Sequence, residues 1–306
     1  MKWYIMRRVV QAAFVLVAVT TMIFVLSNFL ADPAIILLPE DAQKEDYERL
    51  RHDLGLDRPA IVRYGIYMKA LVTGDLGESI RRVGYKVTDL IWTPLGNSAK
   101  LALAAMIFTV CTGLPLGIIA ALNRGKPLDY ISRIFAVAGL VTPGWWLGII
   151  MIILFSVKWR LLPAAGTGDW QHYILPATVL GTHAMAGLAR LARSSMLEIL
   201  DSEYIKMARA KGLPWRTVVW KHALRNALIP VVTFSGLYFA LLITQAITIE
   251  VVFAWPGLGR LMFDSLGSQD YVVVQGTIML AAFIVVMFNL LVDITYGWID
   301  PRIRYT

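Results

Sequence analysis

The sequence is short of charge. Only 16% of its 306 residues are Asp, Glu, Lys or Arg, whereas a soluble domain is roughly a quarter charged. It has one cysteine, Cys111. That excludes a disulfide framework, and its place in an apolar run reads as a small core position. No G-x-x-x-x-G-K-[ST] occurs: Gly125-Lys126 and the reversed Lys211-Gly212 lack the phosphate-cradling context. The chain therefore has no Walker machinery for ATP hydrolysis. His52, His172, His183 and His222 share neither H-E-x-x-H nor i, i+4 spacing, so no zinc site is expected. No G-x-S-x-G nucleophile motif stands out. The expectation is a non-enzyme with no catalytic residues and no metal site.

What is present is apolar residue in long blocks. With random placement, an uncharged window of 22 residues would arise with a probability of roughly 0.02. Yet Val9–Leu30, Leu101–Leu122, Ile134–Val157, Ala227–Ile249 and Tyr271–Val292 all lack charge, and Tyr173–Ala189 carries only His183. Runs of about 20 residues match a hydrocarbon core about 30 Å thick. Backbone groups find no water in lipid, so the runs must be helical. The expected fold class is all-α: a polytopic membrane protein with six transmembrane helices and one permease domain over residues 1–306. Arg7 and Arg8 precede the first run, which is too long for a signal core and has no clean cleavage site, so it reads as an uncleaved span.

The net charge of +8 could suggest nucleic acid, but the basic residues cluster in short connections, where topology explains them. With the N-terminus inside, the inner segments hold Lys2, Arg7, Arg8, Arg124, Lys126, Arg133, Arg190, Arg193, Lys206, Arg209, Lys211, Arg216, Lys221, Arg225, Arg302 and Arg304. The short outer ones hold only Lys100, Lys158, Arg160 and Arg260. Both termini are expected in the cytoplasm. Residues 31–98 then form an extracytoplasmic cap, with helices expected over Glu40–Asp53 and Ala60–Val72 behind Pro39 and Pro59. Gly74 and Gly77 mark a turn.

The connection over residues 190–226 holds the most information. Ser195 and Glu198 fit a capping box for a helix leaving the membrane. Glu203–Ala210 is helix-prone, Gly212 suits a left-handed terminator, and Pro214 suits the first turn of a second short helix. The two would make a rigid elbow. Composition alone leaves two roles open: docking to another protein, or lying on anionic headgroups.

The segment EYIKMARAKGLPWRTVVWKHALRNALIP, Glu203–Pro230, resembles the EAA loop of ABC importer permeases, most closely those of the dipeptide, oligopeptide and nickel family. Further resemblances follow in order along the chain. They are DPA at Asp32–Ala34, LGLDRP at Leu54–Pro59, GDLGES at Gly74–Ser79, RSSMLE at Arg193–Glu198, FAWPGLGR at Phe253–Arg260 and NLLVDITYGWIDPRIR at Asn289–Arg304. Lys206, Met207 and Ala208 stand where the loop pattern has Glu-Ala-Ala, so only Ala208 and Gly212 match, with Glu203 one turn upstream. The later Leu-Pro falls on Leu224 and Arg225, the proline being displaced to Pro230.

The resemblance implies a type I ABC importer transmembrane domain in a bacterial inner membrane, moving di- or oligopeptides. Its partners would be a second similar permease, two ABC ATPases and an extracytoplasmic solute-binding protein, with ATP and magnesium held on the ATPases and no cofactor in this chain. Glu203, Tyr204, Lys206, Ala208, Arg209, Ala210, Lys211 and Gly212 would form the ATPase-coupling loop. Nickel chelates, glutathione or opine-like solutes are the other cargoes such relatives import. A secondary transporter is the rival of a different class, but inverted repeats and charged mid-span sites are not visible.

Polar residues within spans mark either a pathway or helix-to-helix bonding. His183, Gln245 and Glu250 are the pathway candidates, with Asn289 and Asp293 in the last span. Gly113, Pro115, Pro143 and Gly144 read as bending or packing positions. Trp255, Pro256, Gly257 and Gly259 form an aromatic-glycine turn that suits an outer gate, a binding-protein contact or a plain re-entrant turn.

Overall fold

A computed structural model describes residues 2–30, 38, 43–53 and 55–299. Asp32–Ala34, the start of the first cap helix at Glu40, Leu54, the C-terminal arginines and the side chain of Asp293 lie outside the described residues. The described chain is helical, its one β contact being an isolated bridge between Glu78 and Lys86. The helices are α1 (Lys2–Leu30), α2 (Lys44–Asp53), α3 (Ala60–Val72), α4 (Val87–Leu122), α5 (Pro127–Val141), α6 (Gly144–Lys158), α7 (Gln171–Leu200), α8 (Glu203–Ala210), α9 (Trp215–Val252), α10 (Leu258–Gly267) and α11 (Tyr271–Ile299). Both α6, over Ile152–Lys158, and α9, over Val218–Ala223, contain a π-helical stretch.

Among the described residues four helices are long and apolar enough to cross a membrane, over Ile5–Leu26, Val87–Leu122, Trp215–Val252 and Tyr271–Leu291. The apolar run Ile134–Val157, expected as one helix, is instead divided between α5 and α6, which meet at 105°. Pro143 explains the break. A proline disfavours helical backbone in the residue before it, and Thr142 is extended (φ −73°, ψ 121°). The sixth run lies on α7, a 30-residue helix whose His172, His183, Arg190 and Arg193 make it more polar than the other four.

The chain forms two compact units, residues 1–96 with 257–306, and residues 97–256. In the first, α1 runs beside α11 and meets α3 through Phe24, whose ring lies 5.3 Å from Tyr64 and 5.6 Å from Tyr67. The start of α4 buries Val87 and Ile91 against Leu258, Leu261 and Val273. That burial explains why α4 begins at Val87, well before the apolar run at Leu101. The GDLGES segment is fastened by Asp270, which is nearly inaccessible. Its carboxylate accepts from Ser79 Oγ and from the backbone N–H of Ile80 (3.2 Å).

In the second unit α7 is the central helix. At Gly113 and Gly117 on α4, an added Cβ would lie 2.8 Å from the Met185 carbonyl and 2.5 Å from that of Ala189. On the opposite side of the same contact, a Cβ at Gly181 would lie 2.7 Å from the Ala105 carbonyl. These backbones touch only because the glycines have no side chain, the small-residue packing that membrane helices use in place of a hydrophobic drive. Thr109 Oγ1 then donates to the Gly181 carbonyl across the seam (3.1 Å). Gly113 is thus a packing position, and Pro115 sits within an unbroken α4. Cys111, expected in the core, faces away from the chain's own packing, because the seam takes the Gly113 and Gly117 side of α4.

Candidate coupling helix and translocation cleft

Helix α8 is short, polar on one side and anchored on the other. Ile205 and Ala208 are buried, three residues apart as helical spacing requires, against Ile118, Ala121, Met196, Val218 and Val219. Glu203, Tyr204, Lys206, Arg209, Ala210 and Lys211 are exposed. The entry to α8 is the extended Ser202, whose Oγ donates back to the Ile199 carbonyl (2.6 Å) rather than capping α8. The exit is a Schellman turn: Gly212 N–H bonds to Arg209 O (2.9 Å) and Leu213 N–H to Ala208 O (3.4 Å). Gly212 has φ +77°, a left-handed backbone that costs a residue with a Cβ about 1–2 kcal/mol.

Two further contacts tie α8 to α9. Tyr204 Oη and His222 Nδ1 share a hydrogen bond of 2.6 Å, and the Arg209 guanidinium lies 4.1 Å from the Trp215 ring centre. Glu203 pairs with Lys206 at 2.7 Å, both exposed, so this acid is occupied locally. Two details of the expected elbow change. Ser195 is not a cap: it is buried inside a continuous α7, and the chain turns at Asp201–Ser202 instead. The helix after Pro214 is not short: it continues through the π stretch into the 38-residue α9. Near its start, Val218, Val219 and Ala223 pack on α8 and α7.

Asp129, in the first turn of α5, was not apparent as a site residue. It is almost fully buried and takes a bidentate pair from Arg193 on α7, Nε to Oδ1 at 2.8 Å and Nη2 to Oδ2 at 2.9 Å. The Gly125 N–H also donates to Oδ2 (3.1 Å), and Arg133 Nε stands 3.4 Å from Oδ1. The available signal was one acid among Arg124, Lys126 and Arg133.

Two of the three intramembrane candidates come together. A cleft of about 250 Å³ opens between α6, α7 and α9, lined by His183, Gln245, Thr248, Trp145, Gly144, Val179, Leu180 and Ile249. Its surface mixes an imidazole, an amide, a hydroxyl and an indole with aliphatic walls. Glu250 does not line it. That side chain is inaccessible and accepts a 2.5 Å hydrogen bond from Ser98 Oγ. Asn289 belongs to the other unit, beside Arg8 and Gln11 in a smaller cleft between α1 and α11.

The aromatic-glycine turn is rigid where Trp255 begins it. Trp255 is inaccessible, its Nε1 donates to the Asn97 carbonyl (3.1 Å), and its ring meets Tyr173 edge-on at 4.7 Å. Asn97 Nδ2 returns a bond to the Pro256 carbonyl (3.0 Å). Gly257, extended and buried, precedes α10, and Gly259 is buried in its first turn.

Residues 113–305 match the family described as binding-protein-dependent transport system inner membrane component, and residues 1–85 match its N-terminal companion. The chain belongs to this family. It is 38% identical to the dipeptide transport system permease protein DppB of Alkalihalophilus pseudofirmus, over 99% of each chain. It is 40% identical to the glutathione transport system permease protein GsiC of Escherichia coli O6:H1, again over 99% of each. Its fold is similar to inward-facing structures of the MetNI methionine ABC transporter, with a TM-score of 0.59 at 20% identity, covering 70% of this chain and 97% of that one. An amino acid ABC transporter with histidines gives 0.54 at 14% identity, with 68% and 93% covered. The permease is thus an ABC importer subunit of the peptide family, embedded in the inner membrane, with a type I importer transmembrane fold. It is a non-catalytic subunit.

Proposed function

We propose that this permease imports short peptides by pairing with a second, similar permease, two cytoplasmic ATPases and an extracytoplasmic binding protein. Both termini and α8 lie on the cytoplasmic side, as the surplus of Lys and Arg in those segments favours. The exposed face of α8 seats in the ATPases, and rigid-body motion there opens and closes the helix bundle. ATP and magnesium stay on the ATPase chains. The cleft holding His183 and Gln245 lies on the solute path, completed by the second permease. Trp255 and Pro256 hold the outer end closed, while Glu250 serves as an internal fastener.

One observation carries the coupling assignment: a two-turn helix is pinned by Ile205 and Ala208, stopped by a left-handed Gly212, and left with a polar, basic face exposed. A loop that only enforced topology would not need a fixed shape. Gly212→Val strains the exit turn, and the ATPases should then fail to co-purify in mild detergent while the permease remains folded. Normal assembly and uptake in that variant would remove the assignment.

Glutathione, itself a tripeptide, is the second cargo to weigh, because relatives named for dipeptide and for glutathione transport are about equally similar, at 38% and 40% identity. Mass spectrometry of the ligand retained by the cognate binding protein separates the two.

A further inference from the structure

The bidentate pair between Asp129 and Arg193 stands between the coupling helix and the cleft. Arg193 lies one turn before Met196, which packs in the same cluster as Ile205 and Ala208 of α8. Asp129 opens α5, and α5 ends at the 105° break whose far side, Gly144 and Trp145, lines the cleft with His183. Along the way a Cβ at Gly139 would meet Thr182 at 3.0 Å, so α5 lies close on α7.

We propose that the Asp129–Arg193 clamp is a positioning device that carries movement of α8 into the broken span α5–α6, and so into the cleft wall at Trp145. This rests on the coupling reading above. A carboxylate held by two parallel N–H bonds from one guanidinium, with a third from Gly125, resists both sliding and twisting. Apolar contact alone would let α5 slip when α7 and α8 are pushed. Arg133, half exposed, adds a second cation 3.4 Å from the same carboxylate.

The test uses the full complex in liposomes, measuring solute imported and ATP hydrolysed in the same sample with loaded binding protein. Arg193→Lys keeps the charge but cannot make the bidentate contact. Its solute-per-ATP ratio should fall by about fivefold or more, while ATPase co-purification and stimulated hydrolysis remain within about twofold of wild type. Asp129→Asn keeps the acceptor for Gly125 and should show the same split. An unchanged ratio in Arg193→Lys overturns the proposal. So does a proportional loss of hydrolysis and transport, or failure of both variants to assemble, since each marks a structural staple only. A wild-type complex without binding-protein-stimulated hydrolysis would instead sink the coupling reading itself.

Discussion

Two polar groups in the apolar part of the second unit invite comparison, Glu250 with Ser98 and His183 with Gln245. In sequence both read as polar candidates: His183 and Gln245 lie inside apolar runs, and Glu250 directly follows the run that ends at Ile249. Glu250 is inaccessible and bonded to Ser98, beside the Asn97–Trp255–Pro256 bonds. His183 and Gln245 stand across about 250 Å³ of open space from Trp145. A buried polar group bonded within its own chain has used its capacity and holds helices together. One that faces open space keeps its capacity for a further partner.

That contrast can be broken at either end. The largest effect belongs to Glu250→Ala, which removes the carboxylate that accepts from Ser98 Oγ and leaves a void. It should destabilise the permease by about 3 kcal/mol, read as loss of monodisperse protein on heating in detergent. Glu250→Gln keeps an acceptor and should recover most of that stability. A fully stable alanine variant would put Glu250 back among the pathway candidates. His183→Ala should do the opposite. Thermal stability should stay within about 0.5 kcal/mol, while uptake falls about tenfold with ATPase assembly intact. If instead it melted early and transported normally, the two groups would have to exchange roles.

How much was legible in the sequence follows the range of the interactions. Uncharged runs report on lipid locally, so the four long apolar helices were readable. Gly212 at a left-handed helix stop is a local demand and was readable too. Pro143 signalled a weak point, but the 105° turn depends on what α6 packs against: Gly144 on Ile249, and Gly148 on Val252 and Phe253. The continuity of α9 through Val218–Ala223 was hidden because an amphipathic stretch reads alike in a short helix and at the buried start of a long one. The pairing of Asp129 with Arg193, 64 residues apart, and the seam of Gly113, Gly117 and Gly181 are tertiary facts. No spacing rule announces them.

Coupling requires α8 to lie on the cytoplasmic side of the membrane and to touch the ATPases. Met207, exposed on α8, can be changed to cysteine once Cys111 is replaced by serine. In sealed vesicles of both orientations, a membrane-impermeant maleimide should label position 207 only in inside-out vesicles, and assembled ATPases should shield it. Labelling from the outside, or labelling that ATPases leave unchanged, would contradict the coupling mechanism.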